Sequence, residues 1–191
     1  MALTQIKSTI AAPQAVGWVK LSEATASGDE IDIAVTTGNT YDTYMITGSN
    51  IHPDTDDSSI HLQATIGGTL RTDAYYRGAT ERLGSNDSTA RTVTHDASHL
   101  VLMIGIGNDS AGECANFVLY FHRPADTDNH KYLEWFGSHS ADAGFSSHSR
   151  GGGCYNNGAT GKGALTNIRF DLAADGQEYD GGNFKLYGLV K

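Results

Sequence analysis

The sequence predicts an all-β fold, an antiparallel β-sandwich that is jelly-roll-like, and three observations predict it. Apolar and polar residues alternate with period two in many short segments, which is the pattern of strands with one buried face. Glycine is abundant, 23 of 191 residues, against a hydrophobic fraction of only 39%, a balance that favours short strands and tight turns. No segment sustains a 3.6-residue apolar stripe over about three turns, so long helices are not expected. The length suits one core. The sandwich is placed at residues 17–191, behind an extended arm at residues 1–16 that has no clear period and contains Pro13.

Taken in order, Gly17 to Leu21 is the first expected strand, followed by Ile31, Ile33 and Val35 on one face of the second and by Tyr44 to Thr47 in the third. Ile60, Leu62, Ala64 and Ile66 share a face, with Ser59, His61, Gln63 and Thr65 opposite. Asp73 to Arg77 and Ala90 to Thr94 follow, with Ala79 to Leu83 between them as the one candidate helical turn. Leu100, Leu102, Ile104 and Ile106 alternate with residues that include Val101 and Met103, so this strand is expected to be buried on both faces. Phe117 to Phe121 is apolar throughout and too short for a helix, which makes it a central strand. Lys131 to Phe136, Ala164 to Leu172 and Phe184 to Val190 complete the set. The breakers between them are turn formers: Thr36-Thr-Gly-Asn-Thr, His52-Pro-Asp-Thr-Asp-Asp, Gly67-Gly68, Gly84-Ser-Asn-Asp, Gly107-Asn-Asp-Ser and Pro124-Ala-Asp-Thr-Asp-Asn. Gly137 to Gly163, rich in Gly and Ser, reads as a long surface loop of the kind that carries binding. An immunoglobulin-like sandwich would want a Cys-Trp-Cys spacing that is absent, and a jelly roll accommodates eight or more strands with long connections.

The charge balance excludes some partners. Thirteen basic against 22 acidic residues give a net charge of -9, which disfavours nucleic acid and anionic membranes. No run of about 18 apolar residues exists, so no membrane insertion is expected. The N-terminus lacks a basic-then-apolar signal, which points to synthesis in a cytoplasm. Cys114 and Cys154 allow a single pairing, and in that compartment two reduced thiols are the expectation.

Tests for chemistry name no catalytic, cofactor or metal residue. Gly158-Ala-Thr-Gly-Lys-Gly lacks both the first glycine of a phosphate loop, where Asn156 stands, and its hydroxyl residue, where Gly163 stands. No G-x-S-x-G elbow occurs. Among eight histidines, His95 and His99 flank a turn, and His139, His148 and Cys154 match no zinc spacing, although a symmetric trimer could gather one histidine from each copy. Asp54, Asp56 and Asp57, and Asp126 and Asp128, are calcium-like at first sight, but Thr65 and Gly137 stand where an EF-hand needs a bidentate Glu. Aromatic residues suit sugar stacking, and Tyr75, Tyr76, Trp135, Phe145 and Tyr155 are the candidates, with Trp135 expected in the core and one of the adjacent tyrosines expected to point inward.

Two stretches carry a resemblance. Tyr41-Asp-Thr-Tyr-Met-Ile-Thr-Gly-Ser-Asn-Ile-His-Pro53 and the end Leu165-Thr-Asn-Ile-Arg-Phe-Asp-Leu with Gly182-Asn-Phe-Lys-Leu-Tyr-Gly-Leu-Val-Lys191 resemble small virion structural proteins of tailed bacteriophages, which carry Y-D-x-Y-x-I and finish on G-x-F-x-L-Y-G. The likeness runs over residues 31–53, 60–76 and 165–191. It implies a β-sandwich on the virion surface, assembled as a homotrimer with other virion proteins around it, that acts in host attachment as a tail-fibre or receptor-binding component with a host-surface glycan as candidate ligand; it supplies no catalytic motif. A capsid decoration protein is the alternative, and a carbohydrate-active enzyme, which needs two carboxylates converging in a groove, is a third reading. The terminal strand is expected to be a structural member of a sheet.

Overall fold

Strands form wherever period-two alternation can bury one face, and among the described residues that happens thirteen times. The structure, a computed structural model, describes residues 17–35, 41–108, 112–141, 145–173 and 176–190. The expected arm at residues 1–16 and the turn Thr36 to Thr40 lie outside the described residues. In chain order the strands are β1 (Trp18–Thr25), β2 (Glu30–Ala34), β3 (Tyr41–Pro53), β4 (Ser58–Ile66), β5 (Thr69–Leu70), β6 (Tyr76–Gly84), β7 (Thr89–Ala97), β8 (Leu100–Ile106), β9 (Ala115–His122), β10 (Tyr132–Ala141), β11 (Phe145–Tyr155), β12 (Leu165–Leu172) and β13 (Tyr179–Val190). Among the described residues the one helical element is a 3₁₀ turn at Thr160–Lys162, and no helix is long and apolar enough to cross a membrane.

The strands make two antiparallel sheets packed face to face. The large sheet runs β1-β13-β3-β9-β10-β11-β6-β7; the small sheet runs β2-β12-β4-β5, with β8 also paired to β4. The chain therefore passes from sheet to sheet at every connection from β1 to β4, and again from β5 to β6, β7 to β8, β8 to β9, β11 to β12 and β12 to β13. The core lies between the inner faces. Ile60, Leu62, Ala64 and Ile66 of β4 are all buried, as are Ile31 and Ile33 of β2. Phe170 of β12 packs on Phe117 of β9 and Phe184 of β13, with ring centroids 5.4 and 4.9 Å away, which locks the two sheets together. Each such ring removes apolar surface worth about 2–3 kcal/mol from water. Tyr76 is fully buried. Its hydroxyl accepts the Ala64 N–H at 2.7 Å and donates to the Arg71 carbonyl at 3.0 Å, so β6 is tied across the core to β4.

Three expectations are corrected. Ala79 to Leu83 is not a helical turn; it lies in β6, where Thr80 faces in and the flanking residues pair with β7 and β11. Gly137 to Gly163 is not a long loop. Its first part completes β10, residues 145–155 form β11, and the two pair from Tyr132↔Cys154 to Ala141↔Phe145 as a hairpin inside the large sheet. Glycines also stand inside the strands. A Cβ on Gly151 would stand 2.6 Å from the Trp135 ring, and one on Gly48 would meet the ring of Phe117. In both cases a large ring lies over its cross-strand glycine and fills the space that a side chain would take. Ile104, expected on the buried face of β8, is only half-buried, because the pairing of β8 with β4 changes register between Val101 and Met103 and puts Met103 into the core in its place.

Candidate ligand groove on the large sheet

The outward face of the large sheet is built from rows of residues that stand side by side on neighbouring strands. One row reads Arg91 (β7), Glu81 (β6), Arg150 (β11), Phe136 (β10), Val118 (β9) and Thr47 (β3). The next reads Val93, Ala79, Gly152, Glu134, Tyr120 and Met45 over the same strands. Ala79 and Gly152 are too small to cover the backbone, and they leave a hollow of about 800 Å³ walled by Arg91, Glu81, Arg150, Phe136, Glu134 and Tyr120. On the other side of Phe136 a second hollow of about 390 Å³ is lined by Thr47, Ser49, Asn116, Ser138 and His148.

Phe136 stands 53% exposed between the two hollows. Its ring is 6.1 Å from that of Tyr120, which in turn is 6.0 Å from that of Trp18 on β1. Three rings thus run in series across the face, and Tyr132, 64% exposed, adds a fourth aromatic on the same side of β10. The charges around them differ in how they are used. Arg150 holds the Glu81 carboxylate through Nε at 3.0 Å and Nη2 at 2.7 Å, a two-pronged contact that fixes both side chains in the wall. Arg91 and Glu134 make no ion pair or side-chain hydrogen bond among the described residues, so their polar ends are free to meet a ligand.

A comparison of the chain with protein families finds no matching family model, and no curated protein matches it. Among solved structures, a chain in the structure of infectious bursal disease virus Gt strain is similar at 11% identity and a TM-score of 0.13, over 100% of this chain and 46% of that one. This chain thus spans less than half of that protein's length. At such a score nothing about fold or function follows.

The aromatic residues expected to stack on sugars are not the ones that line the groove as platforms. Tyr76 and Tyr155 are buried, and Trp135 lies beneath the floor; Tyr75 and Phe145 are exposed, at 41% and 39%. The inward reading of Trp135 and of one adjacent tyrosine agrees with the structure. The residues missed, Phe136, Tyr120 and Tyr132, follow from the same alternation: if Leu133 and Trp135 face in, then Tyr132, Glu134 and Phe136 face out.

The polar clusters disperse. His139 and His148 sit on opposite faces of the β10–β11 hairpin, His139 buried and His148 exposed, and Cys154 lies at the far end of β11. Burial and the nearby Arg82 push His139 down to about 4. His61 stacks on His99 with centroids 3.7 Å apart, and burial, followed by the neighbouring His99, pushes His61 down to about 4. Among the described residues no group of three or more His, Cys, Asp or Glu is arranged to hold a metal. Asp54 accepts the Glu178 N–H, and Asp126 accepts the N–H groups of Asp128 and Asn129, so these acids shape turns. Cys114 and Cys154 are free thiols, and burial pushes the Cys154 thiol up.

Proposed function

We propose that the chain is a surface component of a bacteriophage virion that binds a host-surface glycan through the groove on its large sheet. The observation that carries this reading is the series of outward-facing rings, Phe136, Tyr120 and Trp18, set beside a hollow whose Arg91 and Glu134 have no partner among the described residues. Rings offer flat apolar faces to a sugar, and a few placed polar groups fix its hydroxyls. The winding of the chain supports the jelly-roll reading: β1-β13-β3-β9 lies opposite β2-β12-β4-β8, and on that reading β5 to β7 and the β10–β11 hairpin are insertions into an eight-stranded sandwich. The insertions are what widen the large sheet and supply most of the groove. Assembly as a homotrimer rests on the resemblance and is tested by a solution mass.

Binding is favoured over hydrolysis because one of the two groove carboxylates, Glu81, is already committed to Arg150, whereas a glycosidase needs both of its carboxyl groups at the scissile bond. The decisive experiment is adsorption of particles that carry Phe136→Ala. The ring is exposed, so the fold should survive, and adsorption should fall by roughly tenfold or more if the ring is a central anchor. Unchanged adsorption, with the label for this chain spread over the capsid lattice, would replace attachment by capsid decoration. Release of reducing sugar from host polysaccharide would replace it by the enzyme reading.

A further inference from the structure

Two hollows on one open face, with a shared wall, set a minimum size for whatever binds there. Glu134 at the edge of the first hollow and Ser138 in the second are four residues apart on β10, a span of about 13 Å at the usual rise per strand residue. A single sugar ring cannot touch both. The hollows also differ in chemistry. The first presents the fixed charges of Arg91 and Glu134 beside the Glu81–Arg150 pair, while the second presents hydroxyl, amide and imidazole groups from Thr47, Ser49, Asn116, Ser138 and His148 with no carboxylate, ammonium or guanidinium among them. Phe136 lies between them as a ring on which a ligand can rest while it passes from one to the other.

We infer, on the glycan-binding reading above, that the ligand is an extended polysaccharide segment that crosses β11, β10 and β9 over Phe136, with a charged sugar unit in the first hollow and neutral, hydroxyl-rich units in the second. A second copy of the chain is a poorer occupant. An interface between copies is most apolar at its centre, where charged residues are depleted, whereas the first and larger hollow is walled by an Arg–Glu pair and by Arg91 and Glu134, which are unpaired among the described residues. An extended chain needs no such apolar centre, because sugar hydroxyls can satisfy these groups directly or through water.

The test is calorimetric titration of the intact protein with size-fractionated fragments of the surface polysaccharide of the host bacterium, made by partial hydrolysis. The dissociation constant is expected to fall by roughly tenfold between fragments that fill one hollow and fragments that span both. The pair Asn116→Ala and Ser138→Ala should weaken the long fragments several-fold and leave the shortest unchanged, because only long fragments reach the second hollow. Glu134→Gln should weaken fragments of every length that contain the charged unit. Maximal affinity already reached by a monosaccharide or disaccharide, or long-fragment binding that is indifferent to Asn116 and Ser138, would overturn the extended-chain inference and leave glycan binding intact. Failure of every fragment to bind the unaltered protein would instead remove the glycan-binding reading itself.

Discussion

Tyr76 illustrates how much one side chain can hold. Its ring is fully buried and its hydroxyl serves the Ala64 N–H and the Arg71 carbonyl at once. Tyr76→Phe removes the oxygen and leaves a strand N–H without a partner in the core, which should cost about 1–3 kcal/mol, read as a lower urea midpoint with an unchanged slope. The histidines give the residue scale its pH dependence. His61 and His139 are both held near 4 in the fold, against an ordinary value of 6.5, so between those values the unfolded chain binds more protons than the folded one and stability rises with pH. The contribution is fully present above about pH 6.5 and is lost as the pH falls toward 4. Asp32 acts in a lower window: the Arg169 guanidinium holds its carboxyl below 3.8, so its share goes only under more acid conditions. Urea midpoints measured from pH 7 to 4 should therefore drop, and His61→Phe, which retains a ring to stack on His99, should flatten the drop. A midpoint independent of pH in this range would contradict the assignment of neutral, buried imidazoles.

At the scale of elements, the sequence was clear where alternation used aliphatic residues and misleading where glycine carried the inner positions. β2, β4, β9 and β12 are legible because Ile, Leu and Phe mark the buried phase. The β10–β11 hairpin was not, because Ser147, Ser149, Gly151 and Gly153 occupy the inward positions of β11, and a strand whose inner face is serine and glycine has the composition of a loop. What makes it a strand lies elsewhere in the chain: Trp135 covers Gly151, and Leu100 of β8 packs where a Cβ on Gly78 or Gly153 would stand. The groove was missed for the same reason, since its floor depends on Gly152 being in a strand. Two glycine substitutions test this account. Gly151→Ala would drive a Cβ into the Ala79 carbonyl and place it 2.6 Å from the Trp135 ring, and overpacking of this kind costs about 1–3 kcal/mol. Gly181→Ala in β13 meets nothing within 4 Å and should change stability by no more than about 0.5 kcal/mol. Equal effects in thermal unfolding would show that the hairpin does not depend on the ring-over-glycine packing.

For the molecule as a whole, the order of strands ties the two ends of the described chain together. β13, the last strand, lies between β1 and β3, and β12 lies between β2 and β4, so the early strands cannot complete either sheet until the late ones arrive. The expectation that the terminal strand belongs to a sheet understated its place, because alternation reveals that a segment is a strand but not which strands flank it. Such non-local pairing slows folding, to milliseconds or seconds for all-β chains of this kind, and it makes a truncated chain vulnerable. A chain that stops at residue 178 would lose Phe184 and Leu186 from the core, expose the inner edges of β1 and β3, and strip from the Phe117–Phe170 pair the third ring that packs on both. It should fail to fold and should be digested by protease or aggregate through its open edges. Phe184→Ala is the milder form of the same experiment. Removing this ring from a fully buried site should cost about 3–5 kcal/mol, a large share of the 5–15 kcal/mol that holds a typical domain together. If the shortened chain kept a cooperative unfolding transition, β1 to β12 would have to close a sandwich without β13, and the nested order of the strands would not be what stabilises the fold.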